Sequence, residues 1–273
     1  MTTAVGAGPV LGADDRGGER LWWLPWLTVL AVLAALEALS RSGAIPEDYL
    51  PAVTTVLAAL VAELRDPTFW LRVWETLQAW GLGLAVAVVA GIPLGLAIGS
   101  NRLAYRAVRV LIEFPRPIPP VAVLPLAVLL FGTGVEMKVY LVAFAAFFPL
   151  LFQALYGVQD LDPVARDTAR AYGLGPIARF VWVAVPSAMP YVATGLRLSA
   201  AIALIVTIAT EIVVGSSGLG YAINEVRYAN DIALMYGIIV VTGVLGLVIA
   251  IMFRRLERRV LHWHASQRQE LPA

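Results

Sequence analysis

Cysteine is absent from this chain of 273 residues, and lysine occurs only once, at Lys138. The lack of thiols excludes disulfide bonds, iron–sulfur clusters and zinc sites built from thiolates. A Walker A loop, which cradles the phosphates of a nucleotide, needs a Gly-Lys-Ser/Thr sequence, whereas Lys138 follows Met137. The chain therefore has no nucleotide-binding loop of this kind.

Sequence motifs of catalysis are missing as well. The two histidines, His262 and His264, flank Trp263 near the C-terminus and predict residues at a membrane surface rather than a metal site. Neither His-Glu-x-x-His nor Gly-x-Ser-x-Gly occurs, and the sequence GSSGLG at 215–220 predicts a flexible turn. We expect neither an enzyme nor a metal site nor a bound cofactor.

Charged residues are scarce. They make up 14% of the chain, with a net charge of +1, while 60% of the residues are hydrophobic. The mean hydropathy of +0.79 is typical of a membrane protein. The few basic residues form short clusters beside apolar runs and no continuous basic face, which argues against a nucleic-acid partner.

The apolar runs are long enough for helices that cross a bilayer, and alternating segments typical of a membrane barrel are not visible. The sequence predicts an all-α polytopic membrane protein with six transmembrane helices. The predicted spans cover residues 21–39, 80–99, 107–132, 138–158, 187–213 and 232–253.

Four segments follow from this assignment. Residues 1–20 predict a disordered cytoplasmic tail, and residues 21–79 a first span followed by external interfacial helices. Residues 80–260 predict the core of the membrane domain, with a cytoplasmic loop at 160–186, and residues 261–273 a second cytoplasmic tail. The interfacial helices are expected in 40–79, where charged residues alternate with apolar ones at helical spacing.

Arginines indicate the orientation, because loops rich in Lys and Arg remain in the cytoplasm. The loops after the second and fourth spans and the segment after the sixth are basic, so we expect both termini inside a prokaryotic plasma membrane. The residues concerned are Arg102, Arg106, Arg109, Arg166, Arg170, Arg179, Arg254, Arg255, Arg258 and Arg259.

A proline cluster interrupts the third predicted span. The sequence FPRPIPPVAVLPL at 114–126 contains five prolines, which remove backbone donors and stiffen the chain. It predicts a divided segment, with residues 105–114 along the inner membrane surface and a shorter helix from 119 to 131 beside the pathway. Between a moving hinge and a fixed kink, we favour the fixed kink.

Ionisable residues inside the spans are costly and are functional candidates by default. Glu37 and Glu113 lie near span ends, where local pairing suffices, Glu113 with Arg116. Arg197 is expected to anchor the cytoplasmic half of the fifth span. Glu211, at the outer end of that span, predicts either a pathway residue or a structural residue that holds the outer loop.

The loop at 160–186 contains strong helix signals. Asp162 followed by Pro163 predicts a helix start, and Gly173 predicts its end. Gly175 and Pro176 then predict a second helix that ends before Pro186. The result is an elbow with polar and apolar faces that suits either docking into a partner's groove or packing on its own bundle.

The spacing within this elbow resembles the EAA loop of binding-protein-dependent ABC importer permeases. Asp167, Thr168 and Ala169 occupy the first three positions of that pattern, Gly173 its glycine, and Val185–Pro186 its final pair. The resemblance implies a coupling helix that inserts into a cleft of the ATP-binding subunit. The coupling residues would be Asp167, Thr168, Ala169, Tyr172, Gly173, Ile177, Phe180 and Pro186.

Further stretches resemble the nitrate/sulfonate/taurine branch of those permeases, with the likeness covering residues 65–265. They are 116–134, 147–158, 211–223 and 254–263. The resemblance implies a type I ABC importer permease fold and a pathway subunit for a small anionic or polar solute. It also implies a second permease copy, most simply as a homodimer, two ATP-binding cassette subunits that bind the ATP, and an external solute-binding protein.

Aromatic residues at span ends are candidate gates of a mostly uncharged pathway. They are Phe131, Phe147 and Phe148, and we add Pro120 and Glu211 as candidate pathway residues. The break at Pro149 is expected to divide the fourth span. A polytopic membrane scaffold without transport is the alternative function, and an intramembrane enzyme lacks a catalytic pattern. The sequence does not identify the substrate.

Overall fold

Helices form all the regular structure in the part of the chain that the computed structural model describes, residues 23–261, which agrees with the all-α prediction. A 3-10 turn, Pro120–Val123, precedes α5, and a π-helical turn, Phe180–Ala184, joins α8 to α9. The helices are α1 (Leu24–Arg41), α2 (Val53–Glu63), α3 (Pro67–Ser100), α4 (Arg102–Glu113), α5 (Leu124–Phe131), α6 (Val135–Gln159), α7 (Pro163–Ala171), α8 (Pro176–Arg179), α9 (Val185–Val214), α10 (Leu219–Tyr228) and α11 (Ile232–Val260).

The predicted tails lie outside the described residues, apart from Leu261, which is buried. His262 and His264 lie outside them too.

Five helical segments of the described chain are long and apolar enough to cross a membrane, by length and composition. They are α1, α3, α6, α11 and the run Pro176–Tyr228, which contains α9. The predicted third span, 107–132, is divided by the proline segment into α4 and the short apolar stretch Pro120–Phe131. The sequence analysis predicted this division. It also predicted six spans, whereas the described chain has five helical segments long enough to cross a membrane.

The second predicted span is much longer than expected. Residues 67–79, which predicted a separate interfacial helix, are the first part of the 34-residue helix α3, so the segment boundary at 79/80 lies within a helix. Asp66 caps this helix by accepting a hydrogen bond from the Thr68 amide at 2.9 Å, and Pro67 occupies the first turn. The same hydrogen bond lowers the pKa of Asp66.

Two compact units make up the chain, residues 1–54 and 55–273. In the first unit, Glu37 accepts hydrogen bonds from Arg41 at 2.6 Å and from the Thr54 hydroxyl at 2.8 Å. The Ser40 hydroxyl donates to the carbonyl of Leu50 at 2.9 Å. These bonds tie the end of α1 to the segment before α2, and Glu37 has the local partners that the sequence analysis expected.

The core of the second unit is the contact of α3 with α6, which is close because a glycine or alanine recurs every four residues on one face of α3. A Cβ atom at Gly83 would lie 2.5 Å from Val142 Cβ, and one at Gly95 would lie 2.3 Å from the carbonyl oxygen of Leu151. One at Gly99 would lie 2.6 Å from the carbonyl oxygen of Leu155. Small residues allow such approach between membrane helices, where van der Waals packing drives association.

Helix α9 also packs on α6 through small residues. Gly195 faces Gln153, and the Ser199 hydroxyl donates to the carbonyl of Ala146 at 2.9 Å. Pro149 lies in this contact region, but α6 continues through it from Val135 to Gln159, so the predicted break is wrong. The hydroxyl of Ser199 provides a donor in the turn where the proline removes one.

Two further ion pairs involve ionisable residues that the sequence analysis singled out. Glu113 pairs with Arg109 at 2.9 Å and not with Arg116, whose guanidinium lies 4.9 Å from the ring centroid of Phe152. Arg197 pairs with Glu257 of α11 at 3.3 Å, and this neighbouring helix is the type of anchor that was expected. Because the Arg197–Glu257 pair joins the first half of α9 to the end of α11, the C-terminus of α11 lies at the α7–α8 end of the bundle.

Candidate functional site

The elbow between α6 and α9 begins as the sequence predicts. Asp162 accepts a hydrogen bond from the Val164 amide at 2.8 Å and caps α7, and Pro163 is its first residue. At the other end, Gly173 has a φ of +73°, and the amide of Leu174 donates to the carbonyl of Ala169 at 3.1 Å. This arrangement is a Schellman cap, in which a glycine takes the left-handed conformation.

The second half of the elbow differs from the prediction. Helix α8 starts at Pro176, but no break precedes Pro186, because the π-helical turn Phe180–Ala184 leads directly into α9. A wider turn at this point accommodates a proline, which has no amide to donate to the preceding turn. The elbow therefore continues into α9 without a break in the helix.

Two large apolar side chains protrude from the elbow. Tyr172 is 81% exposed and Ile177 80% exposed, at the junction between α7 and α8. The two side chains form an exposed apolar tip at this junction. Four further predicted coupling residues are also exposed, namely Asp167, Thr168, Gly173 and Pro186.

The remaining two predicted coupling residues point inward. Ala169 is buried, and Phe180 is half-buried against a small cluster formed by Val158, Ala184 and Ala188. Phe180 therefore lies behind the exposed tip, and its role as a coupling residue stays a prediction. Its ring connects the elbow to the end of α6, because Val158 belongs to that helix.

The acidic position of the elbow has one partner. Asp167 pairs with Arg170 at 3.2 Å, and both side chains are largely exposed. An exposed pair of this kind contributes little to stability, about 0 to 1 kcal/mol. Asp167 can exchange Arg170 for another basic group at little cost.

At the opposite end of the bundle, a buried polar cluster joins α3, α6 and α9. Lys138 Nζ lies 3.1 Å from Glu211 Oε1 and 2.8 Å from Ser217 Oγ. The Thr76 hydroxyl donates to Glu211 Oε2 at 2.9 Å, and Glu75 accepts from the turn that follows α9. We call these residues the polar cluster, and Glu211 in it is fully buried.

The GSSGLG turn at 215–220 closes over this cluster. Its amides donate to the cluster at Gly218, Leu219 and Gly220, with donor–acceptor distances of 3.0, 2.9 and 3.0 Å. Gly218 has a φ of +91°, and a Cβ atom there would lie 2.0 Å from Glu211 Oε1. The turn was predicted to be flexible, whereas these hydrogen bonds hold it in one conformation.

Glu211 therefore occupies the position of a structural residue. Of the two roles left open by the sequence, its complete burial and its ion pair favour the one in which it holds the outer turn. The sequence analysis missed Thr76 and Lys138 as its partners, because it considered Lys138 only as a possible Walker A lysine. The signal was present, since Lys138 and Glu211 are a basic and an acidic residue within apolar runs.

The aromatic gate candidates lie in separate contacts. Phe131 is 44% exposed and packs on Tyr140, with a ring centroid distance of 5.2 Å. Phe147 and Phe148 contact each other edge to face at 5.2 Å, and Phe147 also packs against the main core. Pro120 begins the 3-10 turn before α5 and is partly buried.

Known proteins resemble this chain in sequence and in fold. Residues 87–262 match the family model described as the inner membrane component of binding-protein-dependent transport systems. The taurine transport system permease protein TauC of Escherichia coli is 31% identical over 225 residues, which span 80% of this chain and 81% of TauC. A protein of Bacillus subtilis that is named as a putative aliphatic sulfonates transport permease, SsuC, is 26% identical. This match covers 82% of this chain and 81% of that protein.

The nitrate import permease protein NrtB of Synechocystis is 26% identical over 67% of each chain. Among solved structures, an inward-facing form of the MetNI methionine ABC transporter aligns with a TM-score of 0.63. That alignment has 22% identity and covers 71% of this chain and 98% of the other, which shows a common fold. The chain belongs to the family of binding-protein-dependent transport system inner membrane components, and it is a permease subunit of an ABC importer.

Proposed function

We propose that this chain, paired with a second copy of itself, forms the pathway of an importer for a small anionic or polar solute. Relatives named for taurine, nitrate and aliphatic sulfonates support this substrate class. The chain provides the pathway and separate subunits hydrolyse ATP, since its single lysine lies outside any Walker A sequence.

The exposed elbow carries the proposal. Tyr172 and Ile177 project from a capped turn whose conformation is set by Gly173, and they enter a cleft of the ATP-binding subunit. A helix that inserts apolar side chains into a groove is a common mode of recognition between proteins. Asp167, Thr168 and Pro186 lie on the exposed surface around this contact and complete the coupling surface.

Movement of the elbow is transmitted to the membrane helices through two connections. The π-helical turn makes α8 continuous with α9, and Phe180 packs against Val158 of α6. At the far end, the polar cluster holds α3, α6 and α9 together. The three helices therefore rotate together when the ATP-binding subunits close, because packed interfaces move as bodies rather than bend continuously.

Access to the solute alternates around the centre of the dimer. Phe131, Phe147 and Phe148 are the proposed gate residues, and the 3-10 turn at Pro120 fixes the entrance of the short helix α5. An external solute-binding protein delivers the solute to the end of the bundle that contains the polar cluster. Both termini and the elbow are cytoplasmic in this arrangement.

The experiment is a double substitution at the elbow tip. The tagged chain is purified from its native membrane with Tyr172→Ala and Ile177→Ala, and ATPase activity is measured in the eluate. We expect at least about a tenfold loss of co-purified activity, because two central apolar anchors are removed. The matched control is Tyr228→Ala, since Tyr228 is 79% exposed at the opposite end of the bundle.

Retention of ATPase activity in the double variant would contradict the docking proposal. If the unaltered chain also brings down no ATPase activity, the docking proposal fails and the alternative of a scaffold without transport is favoured. Solute uptake by cells that carry each variant provides the second reading, and it should fall in parallel with co-purification.

A further inference from the structure

A basic cleft of about 670 Å³ lies beside the elbow, separate from its exposed tip. Its walls are the ends of α3 and α6, the first two turns of α4, and residues of α7, α8 and the π-helical turn. Neither Tyr172 nor Ile177 lines it. Its arginines are Arg102, Arg106, Arg109, Arg166, Arg170 and Arg179.

No acidic side chain is among the residues of the described chain that line this cleft. Two of the arginines have carboxylate partners, Arg109 with Glu113 and Arg170 with Asp167. The other four, from α4 and the elbow, have no carboxylate within 4.0 Å in residues 23–261. Positive charges that line one cleft repel one another, and an anion bound among them relieves this repulsion.

Helix α4 presents a second feature at the same place. Leu103, Val110 and Phe114 are 76%, 75% and 72% exposed, and their spacing puts them on one face of the helix. The arginines of α4, at 102, 106 and 109, lie on the neighbouring face, about a quarter turn away. No residue of α4 is buried.

This combination is the pattern of a helix that lies at a membrane surface, with its apolar face among acyl chains and its basic face at the headgroups. The location agrees, because Gly99, Ser100, Val158 and Gln159 line the cleft at the ends of two membrane-spanning helices. The cleft therefore lies at the level of the headgroups.

We propose that the cleft binds an anionic phospholipid, with its phosphate among the arginines and its acyl chains along Leu103, Val110 and Phe114. Guanidinium groups bind phosphate oxygens through paired hydrogen bonds, which favours a phosphate over a single carboxylate. An acidic segment of a partner protein would satisfy the arginines but would leave the apolar row in water. The lipid accounts for both features.

Both α4 and the elbow contribute arginines to the cleft, and no acidic side chain of the described chain lines it. The phosphate of the bound lipid supplies the negative charge and thereby joins α4 to the elbow. It thereby sets the position of the elbow relative to the membrane surface. The ATP-driven movement of the elbow would then depend on the anionic lipid content of the bilayer.

The experiment measures lipid binding to the purified chain by native mass spectrometry, with phosphatidylglycerol and phosphatidylcholine of the same chain length. At low salt we expect phosphatidylglycerol to bind at least about tenfold more tightly, since each basic residue near the surface contributes to the attraction. Arg102→Gln combined with Arg106→Gln should remove about tenfold of this affinity. Both residues lie on α4, so the coupling elbow is left intact.

The matched control is Arg254→Gln combined with Arg255→Gln, which removes the same charge at the same end of the bundle but outside the cleft. We expect the control to keep most of the affinity for phosphatidylglycerol, because neither residue lines the cleft. An equal loss in the control would overturn the proposal, because it would show attraction to charge in general.

Three other results would also overturn it. They are equal binding of the two lipids, undiminished phosphatidylglycerol binding by the α4 variant, and displacement of the lipid by inorganic phosphate at equal concentration. If the α4 variant keeps the lipid and loses co-purified ATPase activity, the occupant is an acidic segment of the partner. If the α4 variant does not fold, the test is made on the unaltered chain. Its preference for phosphatidylglycerol should fall as the salt concentration is raised.

Discussion

Lys138 Nζ lies 3.1 Å from Glu211 Oε1, and these two side chains are only 2% and 0% exposed. The residues are 73 positions apart in the chain, one at the start of α6 and the other near the end of α9. Two opposite charges are thus enclosed in the bundle with further hydrogen bonds from Thr76 and Gly220. Such a pair is stable only when its polar atoms are all satisfied, and this one meets that condition.

Removal of one partner should be strongly destabilising. Lys138→Met leaves the Glu211 carboxylate without its cation, and we expect a loss of about 3–5 kcal/mol in the free energy of unfolding. The double variant with Glu211→Gln removes both charges and should lose less than Lys138→Met alone. Thermal unfolding in detergent gives the comparison, and additive losses in the double variant would contradict the pairing.

Gly218 should be required for steric reasons, in addition to its left-handed backbone conformation. Gly218→Ala places a Cβ atom 2.0 Å from Glu211 Oε1, so the turn must move away from the cluster. Gly215→Ala is the matched control, because its φ of +66° is also left-handed but the nearest atom is 3.8 Å away. The control should lose about 1–2 kcal/mol from backbone strain, and Gly218→Ala clearly more. Equal losses in unfolding experiments would show that the turn does not press on Glu211.

The α3–α6 contact should respond to a single methyl group. Gly95→Ala puts a Cβ atom 2.3 Å from the carbonyl oxygen of Leu151, a backbone atom that cannot move alone. We expect a loss of about 1–3 kcal/mol of stability from overpacking. Gly81→Ala, on the same helix with no atom within 4 Å, should be neutral or slightly stabilising. A tolerated Gly95→Ala would mean that the helices are less close than described.

Local signals in the sequence predicted the elbow well. The cap at Asp162, the helix start at Pro163 and the end at Gly173 are all determined by hydrogen bonds within a few residues. Residue type alone indicates such local features, since aspartate accepts amide bonds and glycine tolerates the left-handed region. The division of the third span by prolines was predicted for the same reason.

Features that depend on distant partners were not predicted. Residues 67–79 contain charges that indicated an interfacial helix, but Arg72 pairs with Glu225 of α10 at 2.7 Å. Glu75 accepts a hydrogen bond from the amide of Gly218, 143 residues away, so these charges of α3 have partners on α10 and in the turn that follows α9. The continuity of α6 through Pro149 was not predicted either, and at this point α9 packs on α6, where the Ser199 hydroxyl donates to the carbonyl of Ala146.

Orientation in the membrane can be tested with single cysteines, because the natural chain has none and every label reports one site. Tyr172→Cys and Tyr228→Cys replace side chains that are 81% and 79% exposed at opposite ends of the bundle. We expect an impermeant maleimide to label Cys at 228 in intact spheroplasts and Cys at 172 only in inside-out vesicles. The reverse pattern would invert the proposed topology.

The central claim, that the elbow seats in an ATP-binding subunit, is tested most directly by the labelling rate of Tyr172→Cys in inside-out vesicles. The rate is measured before and after peripheral proteins are removed, with Arg254→Cys at the same membrane face as the control. The account predicts slow labelling at 172 before removal, at least about tenfold faster labelling afterwards, and no comparable change at 254. Equal rates at 172 before and after removal would contradict it.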